Sequence, residues 1–174
     1  MSSPDQNSRD MSGFVGDWEL DRERTSIEFH TKALWVFPAK GTFRPLEGSG
    51  TVTADGGITG TLVIDAASVD TKNKKRDTHL RTADFFEVER FPTITYEATS
   101  GRMVKPGTID LDGTLTVHGE SRPLSVSADV SISADSVTLT SEVDIDRSAW
   151  GLTRTPFGAG LKNKVVIVAQ FRKT

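Results

Sequence analysis

From Trp18 onward, apolar and polar side chains alternate along most of the chain, the period expected of strands that bury one face. Trp18 and Leu20 alternate with Glu19 and Asp21, then Ile27, Phe29 and Thr31 with Glu28, His30 and Lys32. Ile58, Gly60, Leu62 and Ile64 share one side, and the pattern returns at Ile94, Tyr96 and Ala98. Further runs follow at Ile109 to Val117, Leu124 to Ile132 and Val137 to Ile145. The last run, Val165 to Phe171, is apolar on both faces at its start, which places it in the interior or at a subunit contact. Asp55-Gly56-Gly57, Lys105-Pro106-Gly107 and His118-Gly119-Glu120 separate pairs of runs with hairpin chemistry, and Ala134-Asp135-Ser136 does so more weakly. About eight such runs on short turns predict antiparallel pairing in a sandwich or a closed barrel.

Two segments break the alternation. Lys72 to Phe86 reads as a short helix that Thr71 caps, with Leu80, Phe85 and Phe86 inward and Asp77 paired with Arg81 one turn on. Arg147 to Lys162, rich in Gly and aromatics, reads as an ordered loop or short helix across one end of the sheet. The opening MSSPDQNSRDMSG has almost nothing to bury. The expected organisation is therefore a disordered leader over residues 1–13 and one β domain over 14–174.

Composition narrows the chemistry. The chain has 174 residues and no Cys, which excludes disulfides, thiolate metal sites and cysteine nucleophiles. A net charge of −3 gives no footprint for nucleic acid, and no apolar run reaches the roughly 18 residues of a spanning helix. Seven of the nine Phe fall at strand starts or connections: Phe14, Phe37, Phe43, Phe85, Phe86, Phe91 and Phe157. Gly60, Ala98, Gly113, Ala128 and Ser141 fall on the inward face. Small groups deep inside and aromatics at the ends describe a lumen for an elongated apolar ligand. A twisted, filled sandwich core accounts for the small residues equally well.

The motifs WELD (Trp18 to Asp21), SIEFHTKALWVFPAKGTF (Ser26 to Phe43) and RDTHLRTADFF (Arg76 to Phe86) occur in that order. FPTITYEA (Phe91 to Ala98), GTLTVHGESRPL (Gly113 to Leu124) and DIDRSAWGL (Asp144 to Leu152) follow them. In order and spacing the series resembles the YceI-like family over nearly all of Asp17 to Phe171. The resemblance implies an all-β fold: an extended, antiparallel, eight-stranded, lipocalin-like β-barrel, with a short helix and a long loop at its ends. It implies a lumen that binds a long isoprenoid chain, as a polyprenyl phosphate or an isoprenoid quinone, and it makes a homodimer an expected form. Many members of that family begin with a secretion signal. The opening here has no apolar h-region, so the expected location is cytoplasmic.

The ligand-lining candidates, by position and residue type, are Phe29, Leu34, Trp35, Phe37, Phe43, Leu80, Phe85, Phe86, Phe91, Trp150, Leu152 and Phe157. The basic run Lys74, Lys75 and Arg76, with Arg154 from the second connection, is a candidate collar for a head group. Such a collar also allows transient contact with an anionic membrane surface. No metal or cofactor other than the bound lipid is expected, because His30, His79 and His118 are scattered. No nucleophile motif is present. Asp77, His79 and Arg81 form the one constellation that an isoprenoid-modifying enzyme could use as acid–base groups. The structural reading has Arg76 and Asp77 tie the helix to nearby strands while His79 satisfies a backbone group. Non-catalytic binding is the leading expectation, ahead of that enzyme and of an interaction domain with a filled core.

Overall fold

The computed structural model describes residues 12–33, 39–133, 135–155 and 159–174. A 3-10 turn over Ser12–Phe14 precedes β1 (Gly16–Leu20), and a second over Arg22–Arg24 separates β1 from β2 (Ser26–Ala33). There follow β3 (Ala39–Val52), β4 (Ile58–Asp70), the helix α1 (Lys74–Leu80), β5 (Thr93–Lys105) and β6 (Thr108–Val117). The chain finishes with β7 (Glu120–Ser133), β8 (Ser136–Asp146), a 3-10 turn over Arg147–Trp150 and β9 (Ala159–Lys173).

Each strand from β2 to β9 pairs antiparallel with the next in sequence, and β2 pairs with β9, so eight strands close an up-and-down barrel. Closure leaves the ring no free edge. β1 is not a ninth stave. It fills the gap between β3 and β9 below the point where β2 begins, with Trp18 opposite Gly50 on one side and Lys173 on the other. The jog between β1 and β2 stays hydrogen-bonded: the Asp21 amide donates to the Gln170 carbonyl (2.8 Å), and the Gln170 amide to Thr25 Oγ1 (3.2 Å).

Local chemistry explains the bends. Register shifts in the β3–β4 ladder fall at Thr42/Arg44 and at Pro45/Glu47, where a proline without an N–H is tolerated. In the β6–β7 turn His118 (φ 54°) and Gly119 (φ 74°) both take left-handed geometry, the pair that a two-residue hairpin of this twist demands. Two hydrophobic clusters line the barrel interior. One centres on Ile27, Ile64, Leu115 and Trp150, and the other on Trp18, Val52 and Val137.

The helix is shorter than the sequence pattern predicts. It spans Lys74–Leu80, and Asn73 caps it by accepting from the Arg76 amide (3.0 Å). Thr71 is drawn away from the cap because its amide and hydroxyl both donate to Asp77 Oδ1 (2.9 and 2.5 Å). Asp77 is thus engaged with Thr71, while Arg81 donates to the carbonyls of Ala67 and Val69 in place of the expected pair. Residues 81–91 continue as turns, with the Phe86 amide folded back onto the Leu80 carbonyl (2.9 Å). Ser12 and Gly13, inside the expected leader, already belong to a 3-10 turn; residues 1–11 lie outside the described chain.

Candidate ligand-binding lumen

The core is not filled. A cavity of about 350 Å³ runs along the barrel axis, within the range of small-molecule sites. Its wall is the inward set of the alternation, with Ile58, Leu62 and Ile64 from β4, Val126 and Ala128 from β7, and Val165 to Phe171 at every second position from β9. Val166 and Val168 project outward from β9 opposite Glu28 and Ser26. The space exists partly because a row of small residues crosses four strands in register: Gly50 opposite Gly60, Gly60 opposite Ala98, Ala98 opposite Gly113.

One end of the lumen, here the cap end, is covered by α1, the turns after it and the segment after β8. Leu80, Phe85, Phe86, Trp150 and Leu152 face the cavity there. Their rings continue into the wall, with Phe85 and Phe86 edge-to-face at 4.7 Å, Phe86 and Phe43 at 5.6 Å, and Phe43 and Phe29 at 5.4 Å. Phe29 lies across Gly41, where a Cβ would come within 2.1 Å of its ring. Polar tips are turned into backbone partners: Trp150 Nε1 donates to the Leu115 carbonyl (2.8 Å) and the Tyr96 hydroxyl to the Leu124 carbonyl (2.9 Å). Burial, with a smaller contribution from Asp112, raises the Tyr96 phenol above its ordinary value.

Among the described residues, the charged groups that face the cavity, Arg76 and Arg147, lie at the same end, beside Thr31, Thr71 and Asn163. Arg76 is braced by Thr71, donating from Nε to its hydroxyl (2.8 Å) and from Nη2 to its carbonyl (2.9 Å). Arg147 is buried, donates to the carbonyls of Gly160, Leu152 and Arg154, and lies 5.1 Å over the Phe85 ring. Desolvation lowers its pKa, and neighbouring Asp146 partly offsets that.

The sequence candidates divide accordingly. Phe29, Phe43, Leu80, Phe85, Phe86, Trp150, Leu152 and Arg76 meet at the cavity. Phe43 does so from within β3 and not from a connection. Phe91 is placed elsewhere. Its ring packs at a tilt against His118 (4.7 Å) and covers Gly119, under the Arg90 guanidinium at 5.0 Å. Lys74 and Lys75 lie on the exposed face of α1, and exposed Arg154 pairs with Asp84 (3.6 Å). Leu34, Trp35, Phe37 and Phe157 lie outside the described residues. Sequence reasoning missed Ile27, Trp18 and Leu115 as lining, although the alternation places all three on the apolar side of their runs. It also missed Arg147, which opens the same Gly- and aromatic-rich connection from which Arg154 was chosen.

Asp77, His79 and Arg81 do not converge. Asp77 is held by Thr71, Arg81 by backbone carbonyls, and His79 Nε2 lies 3.2 Å from Asp84 Oδ2 at the surface. The other histidines also face carboxylates. His30 approaches Glu28 (3.6 Å), and His118, in the turn and not on a strand face, approaches Glu87 (3.3 Å) outside hydrogen-bonding geometry. Among the described residues no group of three His, Asp or Glu could hold a metal ion, and no helix is long and apolar enough to cross a membrane.

Comparison with known proteins agrees with this architecture. The sequence profile of the YceI-like domain matches residues 18–172. A UPF0312 protein of Ectopseudomonas mendocina is 34% identical over 121 residues, 66% of this chain and 62% of that relative, so the match spans less than two thirds of its length. One from Azotobacter vinelandii is 28% identical over 87% of this chain and 74% of the relative. Among solved structures, Burkholderia cenocepacia BcnA superposes with a TM-score of 0.79 at 18% identity, covering 87% of this chain and 98% of its own. A polyisoprenoid binding domain from Saccharophagus degradans, implicated in plant cell wall breakdown, gives 0.73 at 19% identity, covering 90% and 98%.

Proposed function

The chain belongs to the YceI-like family, and from that premise we propose that it binds and carries, without transforming it, a long-chain isoprenoid lipid in the barrel lumen. The observation that carries this reading is the asymmetry of the cavity, which among the described residues is apolar along its length and cationic only at the cap end. A tail threaded along the axis gains about 0.8 kcal/mol per buried CH₂, so it needs few polar contacts. Phe29, Phe43, Phe85, Phe86, Trp150 and Leu152 grip the part of the tail nearest the head, while Arg76 and Arg147 face the head itself. A polyprenyl phosphate would engage both guanidiniums as an anion, and a quinone would accept hydrogen bonds from them through its carbonyls. Lys74, Lys75 and Arg154 form an outer collar that attracts anionic heads or a membrane surface over a longer range. The polyisoprenoid-binding description of the Saccharophagus degradans neighbour supports the choice of lipid class. The separate engagements of Asp77, His79 and Arg81 support binding over catalysis.

The test compares Phe86→Asp with Lys74→Ala, each purified from its host and analysed by mass spectrometry of extracted lipid, with circular dichroism to verify the barrel. Phe86→Asp places a carboxylate among the rings at 4.7 and 5.6 Å and is expected to lose most of the bound lipid, whereas Lys74→Ala retains it near the wild-type level. Equal retention by two folded variants contradicts the lumen as the binding site.

A further inference from the structure

The end of the lumen away from the cap is bordered by a different kind of element. Its wall there is Val52, Ile58, Val130, Val137 and Phe171, and among the described residues no ionisable side chain faces the cavity at that end. A lipid whose polar head lies at Arg76 and Arg147 therefore brings the terminus of its tail to this apolar end. The floor that the terminus meets is no part of the barrel wall. It is the 3-10 turn over Ser12–Phe14, which sets the half-buried Phe14 ring against the cluster of Trp18, Val52 and Val137. The Phe14 carbonyl accepts from Trp18 Nε1 at 2.8 Å, so the indole of β1 fixes the height of the turn. Trp18 in turn stands opposite Gly50, and Gly50 opposite Gly60, where side-chain bulk is absent and the lumen stays open up to the floor.

We propose that Phe14 determines which tail lengths the protein accepts, acting as the floor against which the tail terminus stops. The inference rests on the isoprenoid-tail reading above and adds a specificity-determining residue to it. Reducing the ring to a methyl lowers the floor and lets a longer tail bury further methylenes. Enlarging it raises the floor and excludes chains the wild type holds.

The experiment is a competition in which delipidated full-length protein is offered equal amounts of farnesol, geranylgeraniol and solanesol. Occupancy of each is read by native mass spectrometry. Phe14→Ala is expected to raise the occupancy ratio of solanesol to geranylgeraniol by about tenfold, and Phe14→Trp to lower it. If wild type and both variants show one and the same ratio, Phe14 is no floor, and the isoprenoid reading stands without it. A uniform loss of all three alcohols in Phe14→Ala, with Phe14→Trp unchanged, assigns the ring to stability alone and overturns the proposal. If wild type takes up none of the three, the isoprenoid reading falls, and the length selection with it.

Discussion

Gly113 shows how narrowly single positions decide the wall of this barrel. A Cβ built there would lie 2.2 Å from the Glu97 carbonyl oxygen and 2.9 Å from the Ala98 Cα, both in the neighbouring strand, so the obstacle is backbone and cannot rotate away. Gly113→Ala is expected to cost about 1–3 kcal/mol, read as a lower urea midpoint with an unchanged slope. Sequence reading marked Gly113 as inward and small, and left open whether lumen volume or close sheet packing was the reason. The reason is a close approach of two chains, which depends on a register that alternation does not reveal. The same limit separates Phe86 from Phe91. Both are aromatic residues in one connection, yet Phe86 turns onto Phe43 in the lumen, whereas Phe91 is taken by His118 and the bare Gly119. Residue type was legible in both cases, but the partner was not.

At the scale of elements, the strands were readable because period two is imposed by the pleat itself, and one-sided burial repeats it from β2 to β8. The cap was less so. The pattern from Lys72 to Phe86 is one amphipathic stretch, but a buried Asp77 binds Thr71 and leaves Asn73 to begin the helix two residues later. The companion segment after β8 is organised by Asp146, whose carboxylate accepts from both the amide (3.0 Å) and the hydroxyl (2.6 Å) of Ser148. Those bonds, first among the causes, hold the Asp146 pKa below its ordinary value of 3.8. A carboxyl depressed in the folded state stabilises it above the unfolded pKa and loses that contribution as pH falls through the folded value. Wild-type stability therefore declines as pH drops below about 4, and Asp146→Asn flattens part of that decline. Urea midpoints measured at intervals across the acid range check this, and parallel pH profiles for the two proteins contradict it.

For the molecule as a whole, the alternation left a sandwich and a barrel equally open, and the difference lies in one pairing. Seven of the eight contacts in the ring join strands adjacent in sequence, and only β2 with β9 closes the circle. That seam is where Thr31 meets Asn163 across 132 positions. It is invisible to local reading because it carries no turn and no motif of its own. During synthesis the earlier strands can form only an open sheet, since the last stave emerges last. The enclosed space described above therefore has no counterpart until the ribosome has finished β9, and long loop closure of this kind is slow. Until then two strand edges stand exposed to any other chain. A chain truncated before Ala159 is expected to sediment with insoluble material instead of as a smaller folded species, a result that fractionation and light scattering can check. The order of assembly then fixes the order of events for cargo, which can be enclosed only after the seam begins to zip.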